Sequence, residues 1–126
     1  MNINIKSTNI EITPAIKDYV EKRINGLEKF IHHVVDEGVQ AWVEIGRTTR
    51  HHQTGNVFRA EMQIRIPDYK PGVRAEATLD DLYAAIDKAH DELKLELEKV
   101  KNKKISLVRK GARLFKRLIP FLNKYE

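Results

Sequence analysis

The stretch from Thr78 to Lys104, TLDDLYAAIDKAHDELKLELEKVKNKK, constrains the fold more than any other part of the chain. Its apolar residues Leu79, Leu82, Tyr83, Ile86, Ala89, Leu93, Leu97 and Val100 recur at steps of three and four. That period belongs to one face of an α-helix turned toward a core. Thr78 is the expected N-cap, its hydroxyl taking an orphan amide of the first turn, and Asp80 and Asp81 put negative charge where the helix dipole favours it. The stripe fades at Val100, and Lys101, Lys103 and Lys104 follow with no acid among them. The helix is therefore expected to leave the domain with a cationic end, a charge that also suits a helix C-terminus.

Upstream, the hydrophobic period changes from helical to two-residue. Ile3 and Ile5 mark a short first strand. Thr13-Pro14 opens a helix, with Thr as N-cap and Pro at the first position, and Ile16, Val20, Ile24, Leu27 and Ile31 form its buried stripe. Gly26 weakens that helix. Val39, Ala41, Val43 and Ile45 alternate with polar residues, as do Phe58, Ala60, Met62, Ile64 and Ile66, and then Val73, Ala75 and Ala77. The order is β-α-β-β-β-α. Strands with one polar face each imply a sheet that is antiparallel at least through strands two to four, with both helices on its apolar face. The fold class is α+β: two layers, a four-stranded sheet with two helices packed on one face.

The 126 residues suit a single folded domain over 1–104, followed by a separate basic amphipathic tail over 105–126 in which Pro120 is expected to end any helix. The chain has no cysteine, which excludes disulfides and thiolate chemistry. Its first residues have no secretory pattern, and no run of 18 apolar residues offers a membrane span.

Charge is unevenly placed. Up to Glu98 there are 13 Lys and Arg against 17 Asp and Glu, a net of −4; from Lys99 onward there are 10 against 1, a net of +9. A polyanion should therefore meet the end of the long helix and the tail, and both nucleic acid and anionic membrane fit that expectation. Lys22, Lys29, Lys88, Lys94, Lys99 and Lys101 are placed to line a groove between the outer faces of the two helices, a surface for phosphates rather than base edges. In the tail, Leu107, Val108, Leu114, Phe115, Leu118 and Ile119 make an apolar side, and Arg109, Lys110, Arg113, Lys116 and Arg117 are polyanion contacts.

No catalytic constellation stands out. His32-His33 and His51-His52 read as loop residues, His90 as a helix-surface or boundary residue, and neither a metal nor a cofactor is expected. Asp80, Asp81, Asp87 and Asp91 are explained by a helix start and a solvated face. Trp42 falls on the polar side of its strand, where packing at a sheet edge or under a loop competes with a base-stacking role.

The runs RAEATLDDLYAAIDKAHDEL and NIEITPAIKDYVEKRINGLEKF resemble the ribosome hibernation-promoting factor, or ribosome-associated translation inhibitor, family. The likeness covers residues 1–104, and DDLYAAID leading into a helix with spaced lysines is its most specific mark. It implies a cytoplasmic, non-enzymatic protein of the same β-α-β-β-β-α fold, which binds small-subunit rRNA near the decoding region and blocks the tRNA and mRNA sites. It also implies Lys17, Arg23, Lys99 and Lys101 as rRNA contacts, with Lys103 and Lys104 extending the cationic end. Glu92, Leu95 and Gly26 stand where relatives commonly carry basic residues, and Lys22, Lys88 and Lys94 are the neighbours that replace their charge. The chain resembles a short form of the family. The alternative is a membrane-surface or protein-interaction module that works through the tail.

Overall fold

Four blocks of alternating residues and two stripes at helical spacing assemble into one mixed sheet covered on one face. The computed structural model describes residues 1–31, 38–48, 57–66 and 69–123, with side chains over 1–31, 38–48, 57–66 and 72–103. The elements are β1 (Asn2–Thr8), α1 (Pro14–Asn25), α2 (Glu28–Ile31), β2 (Gln40–Thr48), β3 (Val57–Ile66), β4 (Tyr69–Leu79) and α3 (Leu82–Asn123). The sheet order is β1-β2-β3-β4; β1 pairs parallel with β2, and the other neighbours are antiparallel. The helical crossover between β1 and β2 makes their parallel pairing possible. The four-stranded α+β architecture is the expected one.

The first helix starts as its sequence dictates: Thr13 accepts the Ile16 amide through Oγ1 at 3.2 Å, and Pro14 opens the helix. It does not run unbroken to Ile31. Gly26 caps α1, its amide donating to the Lys22 carbonyl, and Leu27 N–H bonds to Ile24 O three residues back. The chain tightens for one turn and resumes as α2. Ile16, Val20, Ile24, Leu27 and Ile31 are nevertheless all buried, so tertiary packing carries the stripe across the break.

At the other end, Thr78 is not a cap. It lies in β4 opposite Arg59, because pairing with β3 continues through Leu79. Asp81 takes the capping role: its carbonyl accepts from Ala85 N–H at 2.9 Å and its Oδ1 from Tyr83 N–H at 3.2 Å. β4 is also longer than Val73 to Ala77. It begins at Tyr69, across an irregularity near Ile64–Ile66, where Gly72 has φ 65°. A Cβ there would stand 2.8 Å from the Ile64 carbonyl oxygen, so this position requires glycine.

α3 packs chiefly on β3 and β4 and buries Leu82, Ala85, Ile86, Ala89, Leu93, Leu97 and Val100. Its backbone passes residue 104 without a break and is helical through Asn123, so the described backbone of the tail continues the helix. Pro120 removes one rung near the end, and the last turn closes beyond it. His90 is buried, not superficial, with Nδ1 3.0 Å from Asp91 Oδ1. The two other His pairs lie outside the described residues.

The opposite sheet face is open and polar. Across β3 and β4, Arg59 donates to Glu76 at 2.6 Å and Glu61 at 2.7 Å, and Arg74 donates to Glu61 at 2.7 Å and Glu76 at 2.9 Å, closing a four-membered ion-pair ring. Hydrogen bonds from Arg74 and Arg59 hold the Glu61 carboxyl below the usual glutamate range. A carboxyl depressed in the folded state contributes stability above its unfolded pKa and loses it as pH falls. Glu61→Gln is accordingly expected to lower the urea midpoint at pH 7 by a modest amount, and the gap from wild type should close as pH drops through the carboxylate range.

Candidate nucleic-acid interface

The outer faces of α1 and α3 meet along a seam in which the strongest interactions are between unlike charges. Arg23 reaches from α1 toward α3, its Nε 3.1 Å from Asp87 Oδ1 and its Nη2 3.8 Å from Asp91 Oδ1. Nε is buried and not aligned for a hydrogen bond, so the attraction is ionic. Tyr19, four residues earlier on the same side of α1, donates its hydroxyl to Asp87 and packs edge-on against Tyr83, ring centroids 5.0 Å apart. The Asp87 hydrogen bond, followed by burial, raises the Tyr19 phenol above its ordinary pKa. This cluster was missed in reading the sequence. Its signal is a pair of four-residue spacings, Tyr19/Arg23 and Asp87/Asp91, each flanking a buried stripe.

The predicted cations are divided by this seam and do not form one groove. Lys29 and Lys94 converge on Phe30, their Nζ atoms 5.2 and 5.3 Å from the ring centroid, a cation–π arrangement that fixes both stems. Lys101 follows on the Lys94 side of α3 and is half-buried. Lys22 faces outward beside Asp18, 3.1 Å away. Lys17 is exposed, but six residues from Arg23 puts it roughly 120° around α1, on the flank away from α3. Lys88 and Lys99 are exposed on another stripe of α3, roughly 90° from the one facing α1, with exposed Leu95 between them. Lys99 pairs with Glu96 at 3.1 Å, and exposed Lys103 lies three residues past buried Val100. The Lys104, Arg109, Lys110, Arg113, Lys116 and Arg117 side chains lie outside those described; their backbone is helical.

Chemically, the arrangement presents ammonium groups on two sides of a rigid helical layer, around a seam whose own charges are already matched. Exposed surface pairs such as Lys22–Asp18 and Lys99–Glu96 are worth little, so a phosphate can replace the carboxylate at small cost. Arg23 is different, because withdrawing it leaves Asp87 and Asp91 uncompensated beside Tyr19. Among the described residues no three His, Cys, Asp or Glu side chains gather as a metal site.

Comparison with known proteins gives a consistent answer. A ribosome hibernation promotion factor of Bacillus subtilis is 35% identical over 103 residues, covering 82% of this chain and 50% of that protein. One from Deinococcus radiodurans is 33% identical over 99 residues, 79% of this chain and 48% of that one. The chain thus spans about half the length of these curated relatives. Among solved structures, the N-terminal domain of Thermus thermophilus Protein Y matches with a TM-score of 0.64 and 35% identity, over 79% of this chain and 99% of that domain. A ribosomal subunit interface protein from Coxiella burnetii shares the fold at 19% identity and a TM-score of 0.57, over 81% of this chain and 99% of that one. With residues 3–105 matching the family pattern as well, the chain belongs to the Sigma 54 modulation protein / S30EA ribosomal protein family.

Proposed function

We propose that the chain is a ribosome-associated hibernation factor: it binds small-subunit rRNA near the decoding region, and its body occludes the sites of tRNA and mRNA. The observation that carries this reading is the coincidence of the family match over residues 3–105 with a helical layer whose cations flank a charge-matched seam and continue off the end of α3. Affinity then comes from phosphate contacts to a folded RNA shape, and inhibition from occupancy; no bond is made or broken. A cytoplasmic location follows from the partner.

Residues 1–104 form the unit that sits on the subunit, and 105–126 a second, polyanion-binding unit along the mRNA path. Because α3 runs on for 23 residues past Val100, its backbone extends roughly 35 Å beyond that residue. That stretch carries Arg109, Lys110, Arg113, Lys116 and Arg117. Ending the chain after Lys104 leaves every buried residue of α3 among those described in place, yet is expected to weaken cosedimentation with purified small subunits by about tenfold or more.

The same continuous helix, basic and apolar in sequence, supports the second reading, a tail that lies on an anionic membrane. No helix among the described residues is long and apolar enough to cross one. Flotation with phosphatidylserine vesicles separates the readings: tail-dependent flotation without subunit binding replaces the ribosomal reading with the membrane one.

A further inference from the structure

The open face of the sheet, on the side away from α1 and α3, carries one aromatic side chain among its described residues. Trp42 stands on interior strand β2 and is 37% exposed. Neither a sheet edge nor a described loop accounts for it, because β1 and β3 pair on either side. Its register partners are Asn4 on β1 and Gln63 on β3, so an indole lies between two side-chain amides in one row across the sheet. Neither amide has a hydrogen-bond partner among the described residues.

Beside the indole is a shallow depression of about 240 Å³, lined by Asn4, Lys6, Trp42, Glu44, Glu61 and Gln63, with Ile5 and Val43 contributing to its floor. Two of these groups are already engaged: Glu44 accepts from Thr8 Oγ1 at 3.1 Å, and both Glu61 oxygens are held by Arg59 and Arg74. Lys6 has no ion-pair partner among the described residues. The depression is smaller than the roughly 300 Å³ at which small-molecule pockets begin, so it suits one planar ring and not a whole cofactor.

We infer that Trp42 is a stacking platform for a single unpaired RNA base, with the Asn4 and Gln63 amides addressing the edge of the base and Lys6 its phosphate. A π-face bordered by amides that each offer donors and an acceptor is the chemistry used for splayed, single-stranded bases. A protein hot spot would place an aromatic anchor in a desolvated apolar surround. Here the rim is amide and charge: Glu61 is neutralised within the Arg59–Glu61–Arg74–Glu76 ring, while Lys6, Glu44 and, two residues past Gln63 on β3, the exposed Arg65 stand outside that ring. The site lies on the face opposite the helical cations and is independent of them. It rests on the reading that the chain meets RNA, but not on which RNA.

The chain has a single tryptophan, so its fluorescence reports this site alone. Titrating the full chain with the oligonucleotide A6 is expected to quench Trp42 saturably, whereas inorganic triphosphate at equal charge leaves it unchanged. With fluorescently labelled A6 followed by anisotropy, Trp42→Ala should weaken binding roughly tenfold, Trp42→Phe should largely retain it, and Asn4→Ala with Gln63→Ala should weaken it while keeping the indole. Circular dichroism confirms that the variants fold. Unaltered fluorescence at saturating A6, or equal A6 binding by wild type and Trp42→Ala, overturns the inference. A response of Trp42 to intact small subunits but not to A6 also overturns it, in favour of a protein contact. If A6 quenches Trp42 while the full chain fails to sediment with small subunits, the base site stands and the ribosomal reading falls.

Discussion

Changing Lys99 and Lys101 together to glutamate is expected to reduce affinity for small ribosomal subunits by about one to two decades at moderate salt, with little effect on folding. Lys99 is exposed and Lys101 half-buried, one on each side of Val100, the last buried residue of α3 among those described. Neither holds the core. If each neutralises one phosphate, losing both should lower the slope of log affinity against log salt by about two, and the new carboxylates add repulsion. The cost within the protein falls on Glu96, which exchanges an exposed pair with Lys99 for a like-charge neighbour at i, i+3, and on Glu98, which gains the same kind of neighbour at position 101; such terms are roughly 0.5 kcal/mol each. An unchanged thermal melt with weakened cosedimentation is the expected signature. A variant that sediments like wild type at every salt concentration removes this end of α3 from the interface.

The largest effect on stability is expected at Leu93. This side chain is fully buried among residues of α3 and the apolar sheet face, with Leu97 and Ile86 on the same stripe. Leu93→Ala removes its transfer free energy and leaves a cavity, at a cost of about 2–5 kcal/mol. Domains of this size have only about 5–15 kcal/mol in total. At roughly 3–6 °C per kcal/mol, the melting temperature should fall by about 6–30 °C. Leu95, two residues away, is 56% exposed, and Leu95→Ala should stay within about 0.5 kcal/mol of wild type. Thermal denaturation of the two variants side by side tests the phase of α3: equal losses would mean the helix is rotated from its described position.

How far these properties can be read from the sequence depends on how local their causes are. The Thr13-Pro14 start was legible because a cap is made within three residues. The alternation in β2 and β3 was legible because a half-buried strand shows its period directly. Thr78 misled because a good capping residue was also a good strand residue, and the ladder to Arg59 decided between them. The fading stripe and the lysine run suggested a helix end near residue 104, and Pro120 an end to any helix in the tail, yet a helix already propagated along its buried stripe gains a bond with each further residue, and a proline in the closing turns removes only one.

Among the candidate contacts, charge pointed to the helices but not to the sides of them on which the cations stand. Lys29 and Lys94 are brought together by Phe30, while Lys88 and Lys99 are carried to another flank by the rotation of α3. Arg23 read as a free cation, and the structure makes it a clamp on Asp87 and Asp91. Such pairings depend on how two helices are rotated against each other, and no single stretch of sequence records that.

The most direct test of the central claim is cosedimentation of the full chain with purified small subunits across a fourfold rise in salt. If about six phosphates are engaged, affinity should fall by roughly two decades or more over that range, with binding tight at the low end. Binding that does not change with salt, or a chain that stays at the top of the gradient at low salt, would contradict a phosphate-held hibernation factor.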